Sequence, residues 1–265
     1  MNIYLRLTGE FNSGQLRAIL AGGQAVVLHR VALMSKDGDW ILREDQQTMG
    51  HVLSVLGGYG ARYRFGAPLD VRWLSGGWSA HLEFHWEGLR VRTDFLTRPP
   101  RLTEEALMRM WEEAERRDSS FAGVRDLAEM KKTNREKDYV VIGELARRMV
   151  DPDDQILYSR SARDLIRLGE EHPQRLRQLA GRRPVLEYVK QGRVALEAAL
   201  DRERRDSIRA NEERLARYME AAKPWADAWL DILRQMEGLT LPEAHGMMVR
   251  RAENLLPFVV TGGLG

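Results

Sequence analysis

The chain has 265 residues, 43% of them hydrophobic and 30% charged, enough to bury a sizeable core and too apolar for general disorder. Its 41 basic and 39 acidic groups nearly cancel, so no bulk field demands nucleic acid or a membrane surface, and any basic patch must be local. The absence of cysteine excludes disulfides, thiolate metal sites and cysteine nucleophiles; the segment MNIYLRLTGEF has no basic stretch followed by a long apolar core and no run of about 18 apolar residues occurs, so a cytoplasmic setting without a membrane partner is expected.

Between residues 17 and 96, short apolar runs alternate with turn residues. RAILAGG reads as a strand ending on glycines, QAVVLHRVAL as a short helix and DWIL as a strand leaving a polar turn. QTMGHVLSVLGGYG has apolar residues at helical spacing and stops on Gly57 and Gly58. LDVRWL, HLEFHW and LRVRTDFL then alternate as strands, with Glu87-Gly88 as a hairpin turn between the last two, and Pro99-Pro100 closes the region. Several adjacent antiparallel strands are expected.

From Thr103 the pattern is helical. Thr103 with Glu104 and Glu105 marks a helix start, and VRDLAEMKK and DYVVIGELARRMV follow as two further helices. Asp151-Pro152-Asp153-Asp154 breaks the periodicity and places an expected domain boundary there. Residues 155 to 258 show long helices and no strand. Within them Asp201 to Arg214 has only Ile208 and Ala210 as apolar residues, the pattern of a solvated face laced by opposite charges. The fold class expected is therefore α+β, a mixed sheet with flanking helices over residues 1–150, followed by an all-helical region over 151–265.

Asp37 and Asp39 are two apart at a strand start, so both carboxylates point to one face. Asp94 lies on another strand, sharing a face with Arg90, Arg92 and Leu96; if the two strands are neighbours, three carboxylates converge as hard oxygen ligands for divalent cations. Gly22-Gly23 sits between a strand and a helix, where glycine lets a phosphate approach the backbone. The histidines His29, His81 and His85 have no metal-ligand spacing and read as ordinary, and Trp40 alternates away from the acids, into the core.

Gly-Gly, thirteen residues, Asp-x-Asp and a later aspartate together resemble the DNA polymerase beta-like nucleotidyltransferases. GGQAVVLH and KDGDW look like its stand-alone bacterial members, including toxins of toxin-antitoxin modules. VRDLAEMKKTNREKDYVVIGELARR is similar to the family's segment after the catalytic sheet, a lysine-bearing helix followed by Arg-x-Lys-Asp.

The resemblance implies a metal-dependent nucleotidyltransferase that moves a nucleotide from an NTP such as ATP to an acceptor hydroxyl and releases pyrophosphate. Asp37, Asp39 and Asp94 would be catalytic and would hold Mg2+ or Mn2+. Gly22, Gly23, Gln24, Ser35, Lys131 and Lys132 would bind the nucleotide, while Lys137 and Asp138 would be structural or belong to the rim. Acceptors implied are RNA, especially a tRNA end, or a protein hydroxyl, and an antitoxin is an implied partner. Two positions depart from the pattern: Gly23 stands where many active members have serine, and Gly38 where an apolar strand residue is common. The departure at Gly23 favours the alternative, a catalytically degenerate nucleotide-binding or regulatory partner in a toxin-antitoxin or defence complex. RRPVLEYVKQGR and the charged helix near 201–214 are candidate RNA phosphate contacts.

Overall fold

The computed structural model describes residues 2–117 and 119–260, which divide into two compact units. The first comprises residues up to Leu28, Leu33–Ala122 and Leu215 onward; the second comprises His29–Ala32 and Gly123–Arg214.

The first unit is built on a mixed five-stranded sheet. Helix α1 (Ile3–Phe11) precedes β1 (Ala18–Ala21), α2 (Gly22–Leu28) and β2 (Asp37–Leu42); α3 (Gln46–Gly58), β3 (Arg62–Gly66) and α4 (Val71–Leu74) follow, then β4 (Ala80–Trp86), β5 (Leu89–Leu96) and α5 (Glu104–Arg117). Strand order is β1-β2-β5-β4-β3. The β4–β5 hairpin turns at Glu87 and Gly88, both at positive φ (49° and 75°), the backbone that matches strand twist in a two-residue turn. β5 then returns beside β2 in parallel, while the remaining pairs are antiparallel.

Alternation sorts the sheet's side chains. Leu20, Trp40, Leu42, Tyr63, Leu82, Phe84, Val91 and Phe95 join one core with Leu7 and Phe11 of α1 and Met49, Val52 and Leu56 of α3. Trp40 is fully buried, stacks on Phe95 at 5.5 Å and meets Phe11 edge-on at 5.3 Å, and its indole N–H donates to Thr8 Oγ1 at 2.9 Å.

Two local elements differ from the sequence expectation. LDVRWL forms no strand, because Asp70 accepts from the Arg72 amide at 2.9 Å and caps the short α4 instead. RYRF, unassigned from sequence, is the edge strand β3, whose pairing with β4 shifts register between Tyr63 and Phe65.

The second unit contains α6 (Val124–Met130), α7 (Glu136–Ala146), α8 (Pro152–Tyr158), α9 (Ala162–Glu171), α10 (Pro173–Leu179), a 3-10 helix (Pro184–Gln191) and the N-terminal stretch of α11 (Arg193–Ala221). Ile156, Leu165, Leu168, Leu176, Leu186 and Leu196 form its apolar core. Asp151-Pro152, expected to mark a domain boundary at residue 150, is a helix start inside this unit: Asp151 accepts from the Asp153 amide at 3.0 Å, and proline needs no amide partner there. A partly buried ionic cluster lies beside that core. Glu203 pairs with Arg160 and with Arg183 at 2.8 Å, and Arg183 also donates to the carbonyls of Ile156 (2.6 Å) and Ser159 (2.8 Å). Arg183 is therefore committed internally, which removes it from the candidate RNA contacts. On α11 Asp201 pairs with Arg204 and Arg205, as on a solvated face laced by charge, but Glu203 and the buried Asn211 of the same stretch turn inward.

The end of α11, α12 (Lys223–Met236) and α13 (Leu241–Leu255) belong again to the first unit. Tyr218, Trp225, Ile232, Met248 and Ala252 complete its core, and Trp73 donates to the Leu256 carbonyl at 3.0 Å. No helix among the described residues is long and apolar enough to cross a membrane.

Candidate functional site

The acids sit on the sheet face opposite Trp40 and Phe95. Parallel pairing sets Asp39 opposite Asp94 and Asp37 opposite Arg92. The antiparallel partner β4 adds His81 opposite Asp94 and Glu83 opposite Arg92, and β3 adds Phe65 opposite His81 and Arg62 opposite Glu83. Two rows thus cross four strands: Asp39, Asp94, His81, Phe65, and beside it Asp37, Arg92, Glu83, Arg62. Neighbouring strands are about 4.8 Å apart, so Asp39 and Asp94 are adjacent although 55 residues separate them in sequence.

Each acid has a distinct environment. Asp37 lies 3.5 Å from Arg92 Nη1, too far for a hydrogen bond, and its Oδ1 is buried with no hydrogen-bond donor. An anionic oxygen left in that state is what a cation would satisfy. Asp39 is held against the backbone of Gly22: a Cβ at residue 22 would overlap Asp39 Oδ2, and Gly22 adopts φ +55°. Asp94 is engaged by two neighbours. Its Oδ1 accepts from Arg64 Nη2 at 2.8 Å and lies 2.8 Å from His81 Nδ1. Among the described residues, no group of three or more His, Cys, Asp or Glu side chains is set to hold a metal ion. Asp37, with its orphaned Oδ1, is the acid whose chemistry fits a hard cation, whereas Asp94 as placed serves Arg64 and His81.

Both departures from the sequence pattern have local explanations. A Cβ on Gly23 would collide with Ser35 Oγ, so a serine hydroxyl already occupies that space from the neighbouring loop. Gln24 fixes this loop by donating to the Ser35 carbonyl at 3.0 Å. A Cβ on Gly38 would come within 2.5 Å of the Tyr4 and Trp40 rings, so α1 supplies the apolar cover that a side chain at 38 would otherwise give. The Tyr4 hydroxyl donates to the Lys36 carbonyl at 2.7 Å; burial and then the Asp37 charge push its phenol up, which keeps it a donor.

Lys131 and Lys132 lie in the second unit. Lys131 is 3.8 Å from Asp138, and Lys132 is 2.7 Å from Glu129 and faces the Tyr158 ring. Asp138 is buried and accepts from Thr133 Oγ1 (2.6 Å) and Arg135 Nε (2.9 Å), a structural anchor for the loop before α7. Arg90 pairs with Glu83 instead of an aspartate. Sequence reasoning missed Arg64 and Phe65, which arrive on the unassigned strand, and treated His81 as ordinary, although it is 15% exposed and touches Asp94. The signal for His81 lay in cross-strand neighbours, not in its spacing from His85.

No protein-family model matches this chain. No curated protein matches it either. Among solved structures, one described as a "putative nucleotidyltransferase from H. pylori" is similar over 80% of this chain and 94% of its own, at 11% identity and a TM-score of 0.37.

Two substitutions test the site's construction. Gly22→Ala forces a side chain into left-handed backbone at about 1–2 kcal/mol and drives Asp39 from its place. A lowered denaturant midpoint is the expected result; an unchanged midpoint would contradict the cradle. Gly23→Ser overpacks against Ser35 and should cost about 1–3 kcal/mol. Adding Ser35→Ala should restore most of that loss in the same unfolding experiment, and strict additivity of the two changes would refute the shared space.

Proposed function

We propose that the chain transfers a nucleotide from a nucleoside triphosphate to an acceptor hydroxyl, releasing pyrophosphate. The supporting observation is the row that sets Asp39 beside Asp94, with Asp37 two residues upstream on the same face and Oδ1 without a donor. Asp37 and Asp39 would hold Mg2+ or Mn2+. When bound, that ion would supply positive charge to offset the charge of the triphosphate and that developing at the reacting phosphorus. The Gly22-Gly23 turn packs its backbone directly against Asp39 and Ser35, and Ser35 supplies a hydroxyl where residue 23 has none. Asp94 would add a third carboxylate beside the ion, and as placed it is held by Arg64 and His81. By family resemblance the acceptor is an RNA end or a protein hydroxyl.

A second reading has its own observation. With Asp94 taken by Arg64 and His81, the chain could bind nucleotide without turning it over, as a regulatory partner in a toxin-antitoxin or defence complex. Incubation with α-labelled triphosphates, magnesium and total RNA or protein separates the two. Label in an acceptor supports the transferase. Tight nucleotide binding with no transfer from any triphosphate supports the regulatory protein and sinks the first.

A further inference from the structure

Ser79 immediately precedes β4 and is half-buried. Its Oγ lies 2.8 Å from His81 Nε2, and the opposite ring nitrogen, Nδ1, lies 2.8 Å from Asp94 Oδ1. A hydroxyl, an imidazole and a carboxylate thus stand within reach of one another, the contact at Nδ1 being an ion-pair distance without hydrogen-bond geometry and the carboxylate being the register partner of Asp39. The imidazole is held on both sides. Phe65 stacks on it at 4.2 Å, and Gly66, at φ +86°, lets its backbone approach so closely that a Cβ would be 2.5 Å from His81 Cδ2. Nothing in nucleotide binding as described requires a serine poised on this histidine.

We propose that Ser79 is itself an acceptor, and that the protein nucleotidylates its own Ser79 hydroxyl; this rests on the nucleotidyltransferase reading above. Ser79 Oγ attacks the α-phosphorus of a nucleoside triphosphate, forming an Oγ–P bond as the bond to the bridging oxygen breaks. The hydroxyl proton passes to His81 Nε2, Asp94 stabilises the imidazolium at Nδ1, and pyrophosphate leaves. The product is a nucleoside monophosphate ester of Ser79.

The same three residue types can serve acyl transfer, but the surroundings favour phosphorus. The amides of Gly77 and Trp78, next to the hydroxyl, already donate to the Leu74 and Trp73 carbonyls, which takes them from any acyl oxyanion. Arg64, on the same carboxylate, brings a fixed positive charge suited to a phosphate.

The test is incubation of the full chain with each α-labelled triphosphate and magnesium, followed by intact-mass measurement and peptide mapping. The expected product is the parent mass plus one nucleoside monophosphate residue, located on Ser79. Ser79→Ala should lose the label while binding nucleotide as the parent does, Ser79→Thr should retain a fraction of it, and His81→Gln should slow it by about 10²–10⁴-fold. Circular dichroism of each variant separates loss of labelling from loss of fold. Label on another residue, or transfer to added RNA or protein with Ser79 unmodified, overturns the self-modification and leaves the transferase reading intact. Absence of transfer to any acceptor overturns both. Nucleotide-independent ester hydrolysis that vanishes in Ser79→Ala would assign the three residues to acyl chemistry instead.

Discussion

Asp39→Asn is expected to reduce nucleotidyl transfer by about 10³-fold while leaving the fold intact. Carbonyl and amide of asparagine fill the same volume, and Asp39 lies on a strand whose core contacts are made by Trp40 on the opposite face. The substitution removes one negative charge beside Asp94 and against Gly22, where a cation carrying a triphosphate would be held. Electrostatic stabilisation of a transferring phosphoryl group is the main service a protein gives this reaction, and losing a single well-placed group costs about 10²–10³-fold in comparable sites. As a proposed metal ligand, Asp39 should stand at the upper end of that range. Initial rates of pyrophosphate release, with the thermal midpoint measured alongside, check the expectation; a rate within threefold of the parent would remove Asp39 from the proposed chemistry.

Glu203→Gln is expected to have the largest effect on stability, concentrated in the second unit. Glu203 is the shared anion for Arg160 and Arg183, and replacing it strands two guanidinium groups in a half-dry cluster. Breaking a buried pair in this way costs about 3–5 kcal/mol, towards the lower end because glutamine still accepts one hydrogen bond. The pH dependence has a defined sign. Burial alone would raise the Glu203 carboxyl, but hydrogen bonding and charge from Arg183, reinforced by Arg160 and Lys132, hold it below the usual carboxylate range. A group whose folded pKa is depressed contributes stability above its unfolded value, near about 4.3, and that contribution is lost as pH falls through the folded value. Burial and the like charge of Arg183 push the Arg160 guanidinium down, so Arg160 bears a cost that Glu203 offsets first, with further help from Tyr139 and Glu129. Urea unfolding between pH 7 and pH 3 should therefore show an acid limb in the parent that is flatter in Glu203→Gln. Parallel limbs would contradict the assignment.

Local elements were readable in the sequence, whereas the long-range pairings were left to the fold. The hairpin at Glu87-Gly88 and the helices through Val124–Met130 and Glu136–Ala146 stand where turn chemistry and periodicity put them. Asp37 and Asp39 share a face because strand spacing alone requires it. That Asp94 sits opposite Asp39 was conditional on β5 lying beside β2, and the parallel pairing is set by the whole sheet's topology, which no short pattern encodes. The edge strand β3 escaped notice because its register shift between Tyr63 and Phe65 breaks simple alternation, and with it went Arg64, the cation on Asp94.

The division into units was equally hidden. α11 runs unbroken from Arg193 to Ala221, so no turn or proline marks the point near Arg214 and Leu215 where one unit gives way to the other. Trp225, Ile232 and Met248 look like the apolar stripe of a separate helical domain, yet they pack into the core of the sheet. Gly23 and Gly38 read as losses from a family pattern; Ser35 and Tyr4, distant in sequence, fill the spaces they leave.

The central claim, that Asp37 and Asp39 hold a cation which carries a nucleoside triphosphate, is tested most directly by binding of Mn2+ in the presence of a non-hydrolysable triphosphate. Electron paramagnetic resonance counts free Mn2+ as protein is added. The parent protein should bind the ion in a nucleotide-dependent manner, and Asp37→Ala/Asp39→Ala should lose that binding with its fold preserved. Equal, nucleotide-independent Mn2+ binding by the parent and the double variant would contradict the account.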